Sequence, residues 1–224
     1  YSSASDDRDG SGLHFFIPPI FLSLKICSGR CLCLQAYYTF ISKDSKWLDK
    51  LIKKKGYSSY KDIFLLAAQG PDVLFFYGYN IVKRENKKEI SQFGFYLHSI
   101  DPSELYFRML AYAFNKKGDE KELLIEFSRG FMYHYALDRT IHPYVFYNTG
   151  FPYTNKKYNL AHGFFEGSLD TAIKKEYEYK ISTFKAVKAK KKHILTCSTM
   201  LSKVVNEMMN KEILNEDSYY KAYK

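Results

Sequence analysis

Two segments of this chain carry metal-binding side chains at helical spacing. The first, Phe127 to Tyr147, reads FSRGFMYHYALDRTIHPYVFY and sets His134, Asp138 and His142 four residues apart, twice over. The second begins twenty residues later and sets His162 and Glu166 four apart. Residues four apart on a helix lie on one face, one turn above the other. Each segment therefore presents a row of imidazole and carboxylate donors. The chain has six His, and three of them fall in these two segments, a concentration that chance placement does not favour.

Neutral imidazole and ionised carboxylate suit zinc, and the same donors accept iron or manganese. Facing helices that carry such rows are how helical bundles build metal sites. With Asp72 and His98 the candidates number seven: Asp72, His98, His134, Asp138, His142, His162 and Glu166. That is too many for one tetrahedral ion and about right for two. Each residue also has a plain reading. Asp72 follows Gly70-Pro71 and suits a turn or a cap. His98 suits an ordinary surface position, and the spaced pairs suit hydrogen-bonded helix faces. Metal binding accounts for all of them together.

The elements that must position these residues read as helices. From about residue 36 onward the apolar pattern is helical, with Trp47, Leu48, Leu51 and Ile52 forming one face. A second helix is predicted from Ser59 to Gln69, capped by Ser58 or Ser59 and stopped by Gly70 and Pro71. A third is predicted from Pro102 to Asn115. Asp101 is its cap, Glu104 sits in capping-box position, and Gly118 lies just past its end. A fourth spans about Glu120 to Ile141, because Pro143 disfavours helical geometry at His142. A fifth runs from about Asn159 to Lys180 and a sixth from about Thr183 to Asn210. Period-two alternation is sustained nowhere. The expected fold is all-α, a multi-helix bundle with a metal cluster between helices.

Hydrophobic residues make up 46% of the 224-residue chain, enough for a sizeable core in one domain. The net charge of +10 favours an anionic partner. Residues 171–224 hold 12 Lys and no Arg against six Asp and Glu, a net of +6, with four Lys between Lys188 and Lys192. This basic region suits peripheral contact with a membrane surface, or equally a solvated helix face. The absence of Arg argues against a dedicated phosphate reader.

Cys27, Cys31 and Cys33 cluster without a matching His or Cys set for a zinc finger, and Cys197 stands alone. No run is apolar enough for a transmembrane segment. Residues 1–12 read as a disordered leader, and residues 13–35 fit neither helical nor strand periodicity. Residues 13–24 are apolar but hold Pro18 and Pro19, and the preceding Asp6, Asp7 and Asp9 have the wrong sign for a secretory signal. A cytoplasmic location is therefore favoured over secretion.

Four blocks carry a resemblance. GPDVLFFY at 70–77, LHSIDPSELYF at 97–107, GFMYHYALDRTIHPYV at 130–145 and HGFFE at 162–166 resemble, in order and rough spacing, the bacterial zinc-dependent phospholipase C family. The likeness covers about residues 57–173 and is most specific around His134, Asp138 and His142. It implies a helical domain over 36–224 with two zinc ions and a potential third. Asp72, His98, His134 and Asp138 would hold one zinc, and His142, His162 and Glu166 a second. A third site would need a free amino terminus and an N-terminal His, for which Tyr1 and His14 are the only candidates. The resemblance also suggests Asp72 as general base.

The implied activity is phosphodiester hydrolysis on a phospholipid, using a zinc-activated water. Two alternatives stand beside it. One is the single-strand nuclease branch of the same superfamily, which the basic charge suits. The other is a metal-stabilised binding protein without turnover. With seven ligands for two ions, one site keeps an open position, which mildly favours catalysis. An HD-type phosphohydrolase needs adjacent His-Asp, which this chain lacks. Phe75, Phe76, Tyr77, Tyr133 and Tyr135 flank the ligands, as core packing or as an apolar entrance.

Overall fold

Every regular element among the described residues is helical, as the missing period-two alternation predicts. The computed structural model describes residues 60–77, 87–150, 156–176 and 188–224. The leader 1–35, His14, Tyr1, the Cys27–Cys31–Cys33 cluster, the Trp47 face and the Ser58 or Ser59 cap lie outside these residues. In chain order the helices are α1 (Lys61–Ala67), a 3-10 helix (Gly70–Phe76), α2 (Lys87–Ser99) and α3 (Pro102–Phe114). They continue with α4 (Gly118–Thr149), α5 (Lys156–Glu176), α6 (Lys191–Met209) and α7 (Ser218–Tyr223). No helix among the described residues is long and apolar enough to cross a membrane.

The core is one cluster. It draws Ile63 and Leu66 from α1, Leu74 from the 3-10 helix, Leu97 from α2, Met109 from α3 and Phe127 from α4. Met200 and Leu201 of α6 and Tyr219 of α7 complete its far side. Ile194, Cys197, Leu201 and Val205 of α6 are buried, with Ser198 and Ser202 buried beside them. The four apolar positions follow the three- and four-residue spacing of a core-facing helix.

The expected start of α3 is present. Asp101 accepts a hydrogen bond from the Ser103 amide at 2.8 Å, and Pro102 occupies the first turn. The second half of the capping box is not made, because Glu104 turns instead to Arg108 one helical turn on, at 3.0 Å. Asp101→Ala is expected to cost about 1 kcal/mol. Chemical denaturation checks this, with Asp101→Ser close to wild type.

The structure adds α2, which carries His98 and which the apolar pattern does not announce, and it corrects two expectations. α4 does not end near Ile141 but runs through Pro143 to Thr149. A proline inside a helix costs about 3 kcal/mol, since it removes a donor and crowds the preceding turn. Pro143 lies on the exposed face, where its ring meets solvent, while Val145 and Thr149 continue the buried stripe beyond it. Gly118 lies just past the end of α3, as expected, and opens α4. Finally, the sixth helix, expected from about Thr183, begins at Lys191, so Lys188 and Lys190 precede it and Lys191 and Lys192 open its first turn. The C-terminal region divides into α6 and the short α7.

α4 decides where the site lies. Its buried stripe is apolar at Leu124, Phe127 and Phe131, then changes to His134 and Asp138. Past its exposed first turn the helix runs through the core from Leu123 and then presents a ligand row. Gly130 lets α1 lie against it: a Cβ there would collide with the Phe64 carbonyl and stand 2.7 Å from the Ala67 side chain.

Candidate metal centre

Asp72, His98 and His134 come together from three elements. The 3-10 helix brings Asp72, the last turn of α2 brings His98, and α4 brings His134. Gly70 makes the approach feasible. Its φ of +55° falls in the left-handed region, and a Cβ there would collide with the His134 ring. The Nε2 atoms of His98 and His134 lie 3.1 Å apart, and Asp72 Oδ1 lies 3.1 Å from His98 Nε2 and 3.9 Å from His134 Nε2.

Both rings are oriented by backbone carbonyls. His98 Nδ1 donates to the Gly94 carbonyl at 2.7 Å, and the His134 ring donates to the backbone of Ala68. Such outer bonds fix the tautomer and leave the other nitrogen to face a metal. Tyr135 adds a clamp one residue from each His, its hydroxyl donating to the Leu97 carbonyl at 2.8 Å.

His142, His162 and Glu166 form a second group. His162 Nε2 lies 2.8 Å from Glu166 Oε1, and His142 Nε2 lies 3.8 Å from the same oxygen. The two imidazoles stack at 5.3 Å, and Phe146 lies against both, 5.1 Å from His142 and 5.5 Å from His162. Glu166 is 2% exposed. The donor atoms of each group lie within 4.8 Å of one another.

Asp138 belongs to neither closed triad and lies against both. Its Oδ2 is 3.2 Å from His134 Nε2, 3.7 Å from His98 Nε2 and 3.9 Å from His142 Nδ1. The helical spacing of four anticipates its neighbours on α4 but not its approach to His98.

The donor set fits metal ions. Nitrogen and oxygen ligands at about 2.0–2.1 Å around a tetrahedral zinc stand roughly 3.3 Å apart, close to the 3.1–3.9 Å separations of the first group and Asp138. Two imidazole nitrogens facing each other at 3.1 Å need either a proton or a cation between them. Asp138 Oδ1 and His162 Nδ1 are buried with no hydrogen-bond partner. A buried carboxylate oxygen without a donor is costly unless a cation meets it.

The electrostatics agree. Burial pushes the His134 imidazole down, but the Asp138 and Asp72 carboxylates outweigh it and hold the ring up at about 9. Burial likewise pushes Asp138 up, and His134, His142 and His98 overcome it, leaving the carboxyl below its usual range. The site concentrates negative charge and protonates His134 when no metal is there to do the same work.

All seven sequence candidates are thus accounted for, in two groups with Asp138 between them. Of the flanking aromatics, Tyr77 is buried in the core, Phe75 stacks on His98 at 5.6 Å, and Tyr133 is half-exposed against Phe64. Sequence reasoning missed the carbonyls of Ala68 and Gly94, which carry no side-chain signal.

Comparison with known protein families, curated proteins and solved structures finds no match. What this centre does is then decided by its own geometry. Two groups that can hold metal ions, joined through one carboxylate, form a candidate dinuclear centre. The first has three donors plus Asp138, and the second has three. Three protein ligands leave a position for water or substrate, as catalytic sites do.

Proposed function

We propose that this chain is a zinc-dependent phosphodiester hydrolase of the phospholipase C type. The observation that carries the reading is Asp138 Oδ2, within 3.9 Å of imidazoles from both groups, which makes the two one centre. The blocks at 70–77, 97–107, 130–145 and 162–166 that resemble the zinc-dependent phospholipase C family supply the ligands of that centre. Bound zinc supplies Lewis acidity toward phosphate oxygens and lowers the pKa of water.

The remaining work falls to the chain's own residues. His98 and His134 are held in one orientation by their carbonyl partners, so the donors are set before substrate arrives. Asp72 has the most accessible carboxylate of the three, with 16% of its side chain exposed against 11% for Asp138 and 3% for Glu166. It is the base that takes a proton from the attacking water. That water forms a bond to phosphorus, and the bond from phosphorus to the glycerol oxygen breaks. The products are diacylglycerol, which gains the proton, and a phosphorylated head group. Tyr135 stays protonated, its phenol pushed up by burial and by Asp138 and Asp72, and acts as a clamp rather than a base.

Elemental analysis of protein purified without chelator tests the metal. Two zincs per chain are expected, falling to about one in His162→Ala. Zinc-free, well-folded protein would exclude the reading. Phosphatidylcholine vesicles, bis-p-nitrophenyl phosphate and single-stranded DNA then separate the substrate classes. Cleavage of DNA alone would move the assignment to the nuclease branch. Full zinc with no cleavage of any of the three would leave a metal-stabilised binding protein.

A further inference from the structure

We infer that Gly94 and Phe75 are positioning residues for His98, acting as a slot and a plate that set the plane of its imidazole. The inference rests on the metal-centre reading above. Gly94 lies in α2 one turn before His98, and its carbonyl accepts the His98 Nδ1 hydrogen at 2.7 Å. The open side of the same glycine is filled by Phe75. A Cβ at Gly94 would stand 2.6 Å from Phe75 Cε1 and 2.8 Å from Cδ1. Phe75 in turn lies nearly parallel to His98, with ring planes 10° apart and centroids at 5.6 Å. Phe95 closes the outer side of Phe75, with centroids 4.5 Å apart.

One residue therefore fixes His98 in two ways. The Gly94 carbonyl holds the ring nitrogen, and its missing side chain admits the flat face that holds the ring plane. Phe75 also belongs to the 3-10 helix that carries Asp72. The stack thus registers Asp72 against His98, whose facing atoms are 3.1 Å apart. Carbon atoms pack best at about 3.5–4.0 Å, so an alanine methyl at position 94 must push Phe75 away by roughly an ångström. A shift of that size moves the ring against which His98 is stacked.

Gly94→Ala gains helix propensity but displaces Phe75, so it is expected to leave the melting temperature of chelated protein unchanged or lowered. It is also expected to weaken zinc binding at the first group about ten- to hundredfold, the usual cost of a lost outer-shell contact. Phe75→Ala removes the obstacle. Gly94→Ala in that background is expected to bind zinc as tightly as Phe75→Ala alone.

The measurement is zinc affinity by competition with a chromophoric chelator, for the four proteins of this cycle. Imidazole 15N spectra of the zinc-free proteins accompany it. In those spectra Gly94→Ala should move the His98 resonances and leave those of His162 in place, whether or not zinc binds. Unmoved His98 resonances would overturn the inference. So would wild-type affinity in Gly94→Ala, or an equal loss with and without Phe75. Wild-type protein that binds no zinc, with the His98 shift still seen in zinc-free Gly94→Ala, would refute the hydrolase and keep the positioning. Should Gly94→Ala fail to fold, Phe75→Leu takes its place. It keeps apolar volume without a flat face, and unchanged His98 resonances in it would equally overturn the inference.

Discussion

Asp138→Asn is expected to lower zinc binding at both groups, where His162→Ala lowers it at one. The substitution keeps the shape of the side chain and removes its charge. Asp138 Oδ2 stands 3.2 Å from His134, 3.7 Å from His98 and 3.9 Å from His142, so no other single carboxylate among the described residues meets imidazoles of both groups. Outer-shell substitutions at metal sites cost about ten- to hundredfold in affinity. A ligand to the first group should exceed that range, and the second group should fall within it. Zinc per chain, measured at a free zinc level that saturates wild type, checks this. Retention of the second zinc with loss of the first would show that Asp138 serves only His98 and His134.

Zinc-free protein should lose stability as pH rises, and zinc-loaded protein should lose that dependence. Burial lowers the His134 pKa, but Asp138 and Asp72 raise it further, to about 9 in the folded chain against an ordinary value of 6.5. Between those values the folded state binds more proton than the unfolded state. Folding stability therefore falls as pH rises. The contribution is complete below about pH 6.5 and gone above about pH 9. Integrated over the shift it is of the order of 3 kcal/mol. Zinc must displace that same proton, so its affinity should rise by about tenfold per pH unit over the same window. Melting temperatures from pH 6.5 to 9 should fall with chelator and stay level at saturating zinc, because the proton lost by the metal-free site is the one zinc displaces. Parallel series would exclude a shared proton and metal site at His134. Asp138 has the opposite sign. Its depressed pKa adds stability above the ordinary carboxyl range that is lost as acid protonates it.

Much of the centre was legible because helices are periodic. His134, Asp138, His142, His162 and Glu166 stand out by spacing alone, and α4 and α5 deliver them as that spacing implies. Asp72 and His98 have no such partner in sequence and stand out only within longer blocks that resemble a known family. α2 was not legible. Ile90, Phe93 and Leu97 do follow a core stripe, but the exposed Phe95 and Tyr96 and the buried Gly94 blur its edges. The course of α4 past Pro143 was also hidden. A local rule against proline cannot know that the ring will face solvent while Val145 and Thr149 pack beyond it. The orienting carbonyls of Ala68 and Gly94 belong to the backbone and depend on where the chain goes, not on which residues it contains.

The long helix α4 has a thermodynamic consequence. It carries His134 at one end of the ligand row and His142 at the other, eight residues or about 12 Å along the same rod. Local opening of that segment would withdraw ligands from both groups in one event. An ion held at either end opposes the opening by mass action and so preserves the other end. Two bound zinc ions would then be homotropic partners, each raising the other's affinity by the same factor, as linkage requires. Such a chain would fill its centre over a narrow span of zinc concentration, closer to a switch than to two independent buffers.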